Sequence, residues 1–176
     1  MKIRTGFVSN SSSSSFIVVF DKIPQTIEET QQILFKDQKA YINPYADIQK
    51  RCIPTYSVWK VSKTVFKDIQ QQSPNDFNFI HSMVENMDDA DIYMTEPKPD
   101  YWCGMGPDDK KKSDKQHEIY YDARTTYEKA FIKRFMKKHK GKFVFVFEYS
   151  DDTSYECALE HGDLFKNLQH IRISNH

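Results

Sequence analysis

Phe16, Ile17, Val18, Val19 and Phe20 form an unbroken apolar run near the start of the chain. β-Branched and aromatic side chains without polar alternation predict a strand buried on both faces. Asp21, Lys22 and Pro24 break it. Thr26 followed by Glu29 has capping-box spacing. Ile27, Thr30, Ile33 and Leu34 then share one helical face, so a helix is expected to end near Phe35. Residues 36–54 carry Pro44 and Pro54 and read as irregular. Val58, Val61, Val65 and Ile69 make one stripe of a second helix, started by Thr55 or Ser57. Ser73 and Pro74 predict a third start, a cap followed by a first-turn proline. Its buried face would be Phe79, Ile80, Met83, Val84 and Met87.

Farther on, residues 92–95 suggest a short strand. Residues 96–116 combine Pro, Gly and mixed charge, the pattern of an irregular solvated loop. The longest helix is expected over residues 119–139, with Tyr127, Phe131 and Phe135 inward and Gly141 as its stop. Residues 142–149 read as a central strand, with Phe143, Phe145 and Phe147 on one face and Val144 and Val146 on the other. Residues 150–153 make a turn, and 155–160 are expected to return as a hairpin partner. Asp163 can cap a short helix through Leu168, and residues 171–173 suggest a last strand. Residues 2–8 suggest an edge strand or ordered arm. Together these predict one α+β domain over residues 1–176. Its sheet would be mostly antiparallel, an N-terminal strand plus a C-terminal hairpin, with three to four helices packed on it.

The 176 residues, 39% of them hydrophobic, suffice for one core. A mean hydropathy of −0.71 and short apolar runs argue against a membrane protein. Lys and Arg number 25 and Asp and Glu 25, so only a local patch can favour nucleic acid. Met1, Lys2, Ile3 and Arg4 lead into serines rather than an apolar h-region, so no secretory signal is expected. Cys52, Cys103 and Cys157 contain no CxxC pair and suit thiols in a reducing cytoplasm.

Three clusters carry candidate chemistry. Ser11, Ser12 and Ser13, with Arg4, can form a phosphate- or ligand-binding loop before the first strand. The five serines at 11–15 lack the Gly and Lys of a phosphate cradle, and a structural loop is the first expectation for them. The C-terminal Glu156, His161 and His170 can bind a divalent metal or supply acid–base chemistry. Capping and turn chemistry explain the same residues, and Glu160 and His161 would point apart on a strand. The third cluster is basic: Lys133, Arg134, Lys137 and Lys138, extended by Arg124, Lys129, His139, Lys140 and Lys142. With Trp102 and Met105 these are the candidate partner surface. No HExxH or His-x-His pair sets a metal geometry, so no metal site is assigned, and no cofactor is indicated.

The opening residues 1–10, with Phe7, Val8, Ser9 and Asn10 before the serines and Phe16, resemble the start of uncharacterised small proteins of tailed bacteriophages and bacteria. Their pattern is K-x-R-x-x-F-V-[ST]-N-S-S-S-S-S-F. Residues 159–165 and 170–174 are similar to the ending of some of them. The resemblance implies a phage or bacterial origin and residence in the bacterial cytoplasm, and no reaction. The expected function is binding, first to a host or phage protein. An enzyme acting on nucleotides or nucleic acid, through the serine loop and the C-terminal His and acid residues, is the alternative. A nucleic-acid binder using the basic helix is another. No membrane partner is expected, and no oligomeric state is indicated.

Overall fold

A computed structural model describes residues 13–45, 53–85, 87 and 107–175. Its strands are β1 (Ser13–Phe20), β2 (Ala40–Ile42), β3 (Thr55–Ser57), β4 (Phe143–Ser150) and β5 (Gln169–Asn175). Its helices are α1 (Ile27–Phe35), α2 (Val58–Gln70), α3 (Phe77–Val84), α4 (Pro107–Lys138) and α5 (Ser154–His161). The fold is α+β with antiparallel sheets. The chain, expected as one domain, divides into two compact units. One is Met1–Asp76 with Gly141–His176, and the other is Phe77–Lys140.

In the first unit β1 lies between β4 and β5, antiparallel to both. The N-terminal strand is therefore the centre of the sheet. Phe16, Val18 and Phe20 share a face with Phe145, Phe147 and Tyr149. That face packs with Leu34 and Phe35 of α1, the stripe Val58, Val61, Val65 and Ile69 of α2, Ala158 and Leu159 of α5, and Phe165. Phe20 meets Phe145 edge-on at 5.6 Å, and Phe147 lies 4.8 Å from Phe165. Each such side chain contributes about 1.5–3 kcal/mol on burial. Ile17, Val19, Val144 and Val146, on the opposite face, are buried too. The missing alternation at 16–20 thus has its expected meaning.

α1 starts as its capping box predicts. Thr26 Oγ1 accepts from the Glu29 N–H at 3.1 Å, and Glu29 Oε2 accepts from the Gln25 N–H at 2.7 Å. β4, expected to be central, is an outer strand. Its second edge is covered by amide side chains instead of a strand. Gln72 Nε2 donates to the Val146 carbonyl at 2.8 Å, and Gln72 Oε1 accepts from the Val146 N–H at 2.9 Å. Asn75 Oδ1 accepts from the Val144 N–H at 2.9 Å, and the Asn75 N–H donates to the Val144 carbonyl at 2.9 Å. Asn75 reaches that position from a turn in which its φ is 61°. Ser73 and Pro74 belong to this turn, and α3 begins only at Phe77.

The expected C-terminal hairpin is not there. Residues 155–160 lie in α5, whose N-cap Thr153 accepts from the Glu156 N–H at 3.1 Å and donates to Glu156 Oε2 at 2.9 Å. This N-cap has the Thr-x-x-Glu spacing of Thr26 and Glu29, and it outweighs the strand-like alternation that follows. Asp163 opens hydrogen-bonded turns through Leu168 rather than a helix. Gly162 is packed so closely that a Cβ there would meet the Tyr41 hydroxyl, which donates to the Ala158 carbonyl at 2.7 Å.

In the second unit α3 lies against α4. α4 runs for 32 residues, and its first turns occupy residues 107–116, part of the expected loop. Five helices are present among the described residues, more than the three to four expected. The buried positions of α4 include Tyr120, Glu128 and Ile132, while Tyr127, Phe131 and Phe135 are only half-buried. Gly141, with φ 83°, follows the helix end. The expected strands at residues 2–8 and 92–95 lie outside the described residues.

Candidate functional site

The serine run is not a loop where it is described. Ser13, Ser14 and Ser15 are the first residues of β1, and Ser14 and Ser15 are fully buried. Ser14 points to the same face as Phe16, beside Arg172 of β5. The Arg172 guanidinium donates to Ser14 Oγ through Nη2 at 3.2 Å and Nε at 3.3 Å. Ser14 Oγ donates to Glu160 Oε1 at 3.3 Å, and His161 Nε2 lies 3.4 Å from Glu160 Oε2. Arg172 Nη2 closes the ring on His161 Nδ1 at 3.3 Å. Arginine can only donate, so Nδ1 accepts and the imidazole proton sits on Nε2, toward Glu160. Glu160 and His161, expected to point apart, meet because α5 ends there. The Tyr45 ring meets His161 edge-on at 5.0 Å, and Arg172 stacks over Phe16 at 5.8 Å.

This ring joins β1, α5 and β5. Its chemistry is that of a charge-compensated network, buried at Ser14 and Glu160 and reaching solvent at Arg172. A nucleophilic serine needs a base for its proton and an open path to substrate. Ser14 gives its proton to a carboxylate, receives Arg172, and has no exposed surface.

The other acid–base candidates do not converge on it. Glu156 is occupied with the Thr153 cap. His170 is exposed on β5, where its Nδ1 donates to the Leu168 carbonyl at 3.1 Å and its ring lies 6.2 Å from Phe165. Arg4, Ser11, Ser12, Trp102 and Met105 lie outside the described residues, as do Cys52 and Cys103. Cys157 is a half-buried thiol on α5.

The basic candidates do converge. Lys129, Lys133, Arg134, Lys137 and Lys138 are all exposed on the last turns of α4, and Lys140 follows. At 100° per residue they fall within one half of the helix circumference, opposite Glu128 and Ile132. Residues 129–142 contain no Asp or Glu. Among the described residues none of these six cations has an ion pair, whereas Lys142 pairs with Asp21 at 3.0 Å. Three members leave the expected set, Lys142 through that pair and two others. His139 is buried. Arg124 is turned inward, bonded to Glu128 and to the carbonyls of Glu85 and Met87.

Sequence reasoning missed His81, Glu85 and Glu128, which α3 and α4 bring together. His81 and Glu85 are separated by one helical turn, a visible signal. Glu128 lies far along the chain, and only the packing of the two helices supplies it. Compared with protein-family models, curated proteins and solved structures, the chain matches none.

Proposed function

We propose that this chain is a binding protein and that the basic half-cylinder of α4, from Lys129 to Lys140, engages an acidic protein surface. The observation that carries this reading is the row of six exposed cations on and just after the last turns of α4, none of them ion-paired among the described residues. Charges left unneutralised on a rigid element attract a complementary surface and steer its approach. A chain with formal net charge +0 and pI near 7.0 has little overall attraction for nucleic acid. The N-terminal resemblance supports seeking the partner among bacterial host and phage proteins. The closed ring around Ser14 weighs against the enzyme alternative.

Affinity capture from bacterial lysate, with and without nuclease, tests the reading. A stoichiometric acidic protein retained after nuclease treatment and released by salt is expected. Capture abolished by nuclease would transfer the surface to nucleic acid. No retained protein in either arm would overturn the proposal.

A further inference from the structure

In the second unit, α3 and α4 bring one imidazole and two carboxylates together. His81 Nδ1 lies 3.2 Å from Glu85 Oε1, four residues on and just past the end of α3. His81 Nε2 lies 3.4 Å from Glu128 Oε2 on α4. The donor atoms of the three residues all fall within 4.8 Å of one another. The Phe77 ring lies nearly parallel to His81, its centroid 6.4 Å away and the planes 13° apart. Glu128 is held firmly: Arg124 Nε donates to its Oε1 at 2.8 Å, leaving Oε2 toward His81.

A second observation points to a ligand. His81 Nε2 is buried and has no hydrogen-bond partner, although a carboxylate oxygen stands 3.4 Å away. The pair is close but not aligned as N–H···O. Nδ1 faces Glu85 Oε1 at 3.2 Å, which leaves Nε2 as the ring atom that meets Glu128. A cation held between Nε2 and Oε2 would give both atoms a partner. Two ligands about 2.0–2.1 Å from a tetrahedral ion stand roughly 3.4 Å apart, and the Nε2–Oε2 distance is 3.4 Å.

We propose that His81, Glu85 and Glu128 form a binding site for a divalent transition-metal ion of the zinc type. His81 Nε2 and Glu128 Oε2 are the fixed ligands. Glu85, more than half exposed, swings onto the ion as the third. Arg124 acts as a positioning residue by orienting the Glu128 carboxylate, the usual outer partner of a ligating carboxylate. An imidazole beside carboxylates selects zinc, iron or nickel over calcium and magnesium, which take all-oxygen shells. The charges agree. Arg124 offsets one carboxylate, so His81 in its neutral form leaves one negative charge for a doubly charged ion.

The test uses the full chain, stripped with chelator and titrated with zinc chloride by calorimetry, with cobalt(II) absorption as a second readout. One ion per chain is expected, with a cobalt d–d band indicating nitrogen and oxygen ligation. His81→Ala and Glu128→Gln should each weaken zinc at least tenfold, and His170→Ala should leave it unchanged. Glu85→Gln alters an exposed side chain and keeps the test open if the buried variants fail to fold; it too should weaken zinc. Nitrogen NMR should show the His81 Nε2 resonance move on saturation with zinc. Binding unmoved by His81→Ala and Glu85→Gln, or His81 carrying protons on both nitrogens with zinc present, would overturn the site.

Discussion

Buried hydroxyls and carboxylates destabilise a fold unless each is bonded, and Ser14 and Glu160 bond each other. Ser14→Ala should therefore cost about 1–3 kcal/mol, because Glu160 is left buried without that donor. Urea denaturation measures it, and an unchanged midpoint would contradict the ring. Asp68 makes a second residue-scale prediction. Burial raises its carboxyl to about 6 from the ordinary 3.8, against the Tyr149 hydroxyl, which donates to Oδ2 at 3.1 Å, and the Lys67 charge. The folded state then holds the proton more tightly than the unfolded state. This contribution is complete below about pH 4 and is lost as pH rises through 6. Comparing Asp68→Asn with wild type between pH 4 and 7 should show wild type losing on the order of 2 kcal/mol relative to the variant. A difference independent of pH would refute it. The Thr26 cap was legible because its chemistry is local. Ser13, Ser14 and Ser15 lie in a strand although serine favours turns. Only Arg172 and Glu160, far along the chain, make burial of Ser14 tolerable.

At the scale of elements, a cap followed three residues on by Glu marks a helix start, at Thr26 as expected and at Thr153 where a strand was expected. Ser73 with Pro74 and Asp163 start no helix. Thr153 with Glu156 repeats the Thr26 and Glu29 spacing, and it makes a helix of residues that alternate like a strand. Pro107 followed by Asp108 and Asp109 is likewise a helix start, proline in the first turn and acids toward the positive end of the dipole. The sparse apolar residues of α4 hid it. The covered edge of β4 was not legible, since nothing local tells a strand that glutamine and asparagine side chains will replace a neighbour. That edge is testable. Gln72→Ala removes both side-chain bonds to Val146 and should destabilise by about 1–3 kcal/mol. It should also increase self-association, since an uncovered edge recruits other strands. Thermal denaturation with sedimentation velocity checks both, and a stable monomer would count against the covering role.

For the molecule as a whole, the sequence conveyed the fold class but not its assembly. β1 pairs with strands more than a hundred residues away, with Ser13 opposite Ser150 and Asn175. Periodicity cannot report such pairing, because it depends on which apolar faces meet after collapse. No helix among the described residues is long and apolar enough to cross a membrane. Composition concealed the charge distribution. Equal totals of acid and base coexist with a basic helix face, because residues 129–142 carry no acid and their exposed cations fall on one side of the helix. The most direct measurement is quantitative capture from nuclease-treated bacterial lysate. Wild type is compared with a variant combining Lys133→Glu, Arg134→Glu, Lys137→Glu and Lys138→Glu. These side chains are exposed, so the variant should keep its fold by circular dichroism. It should retain the acidic partner at least tenfold less than wild type, whose own retention falls with added salt. Equal retention by the two folded proteins would contradict the account.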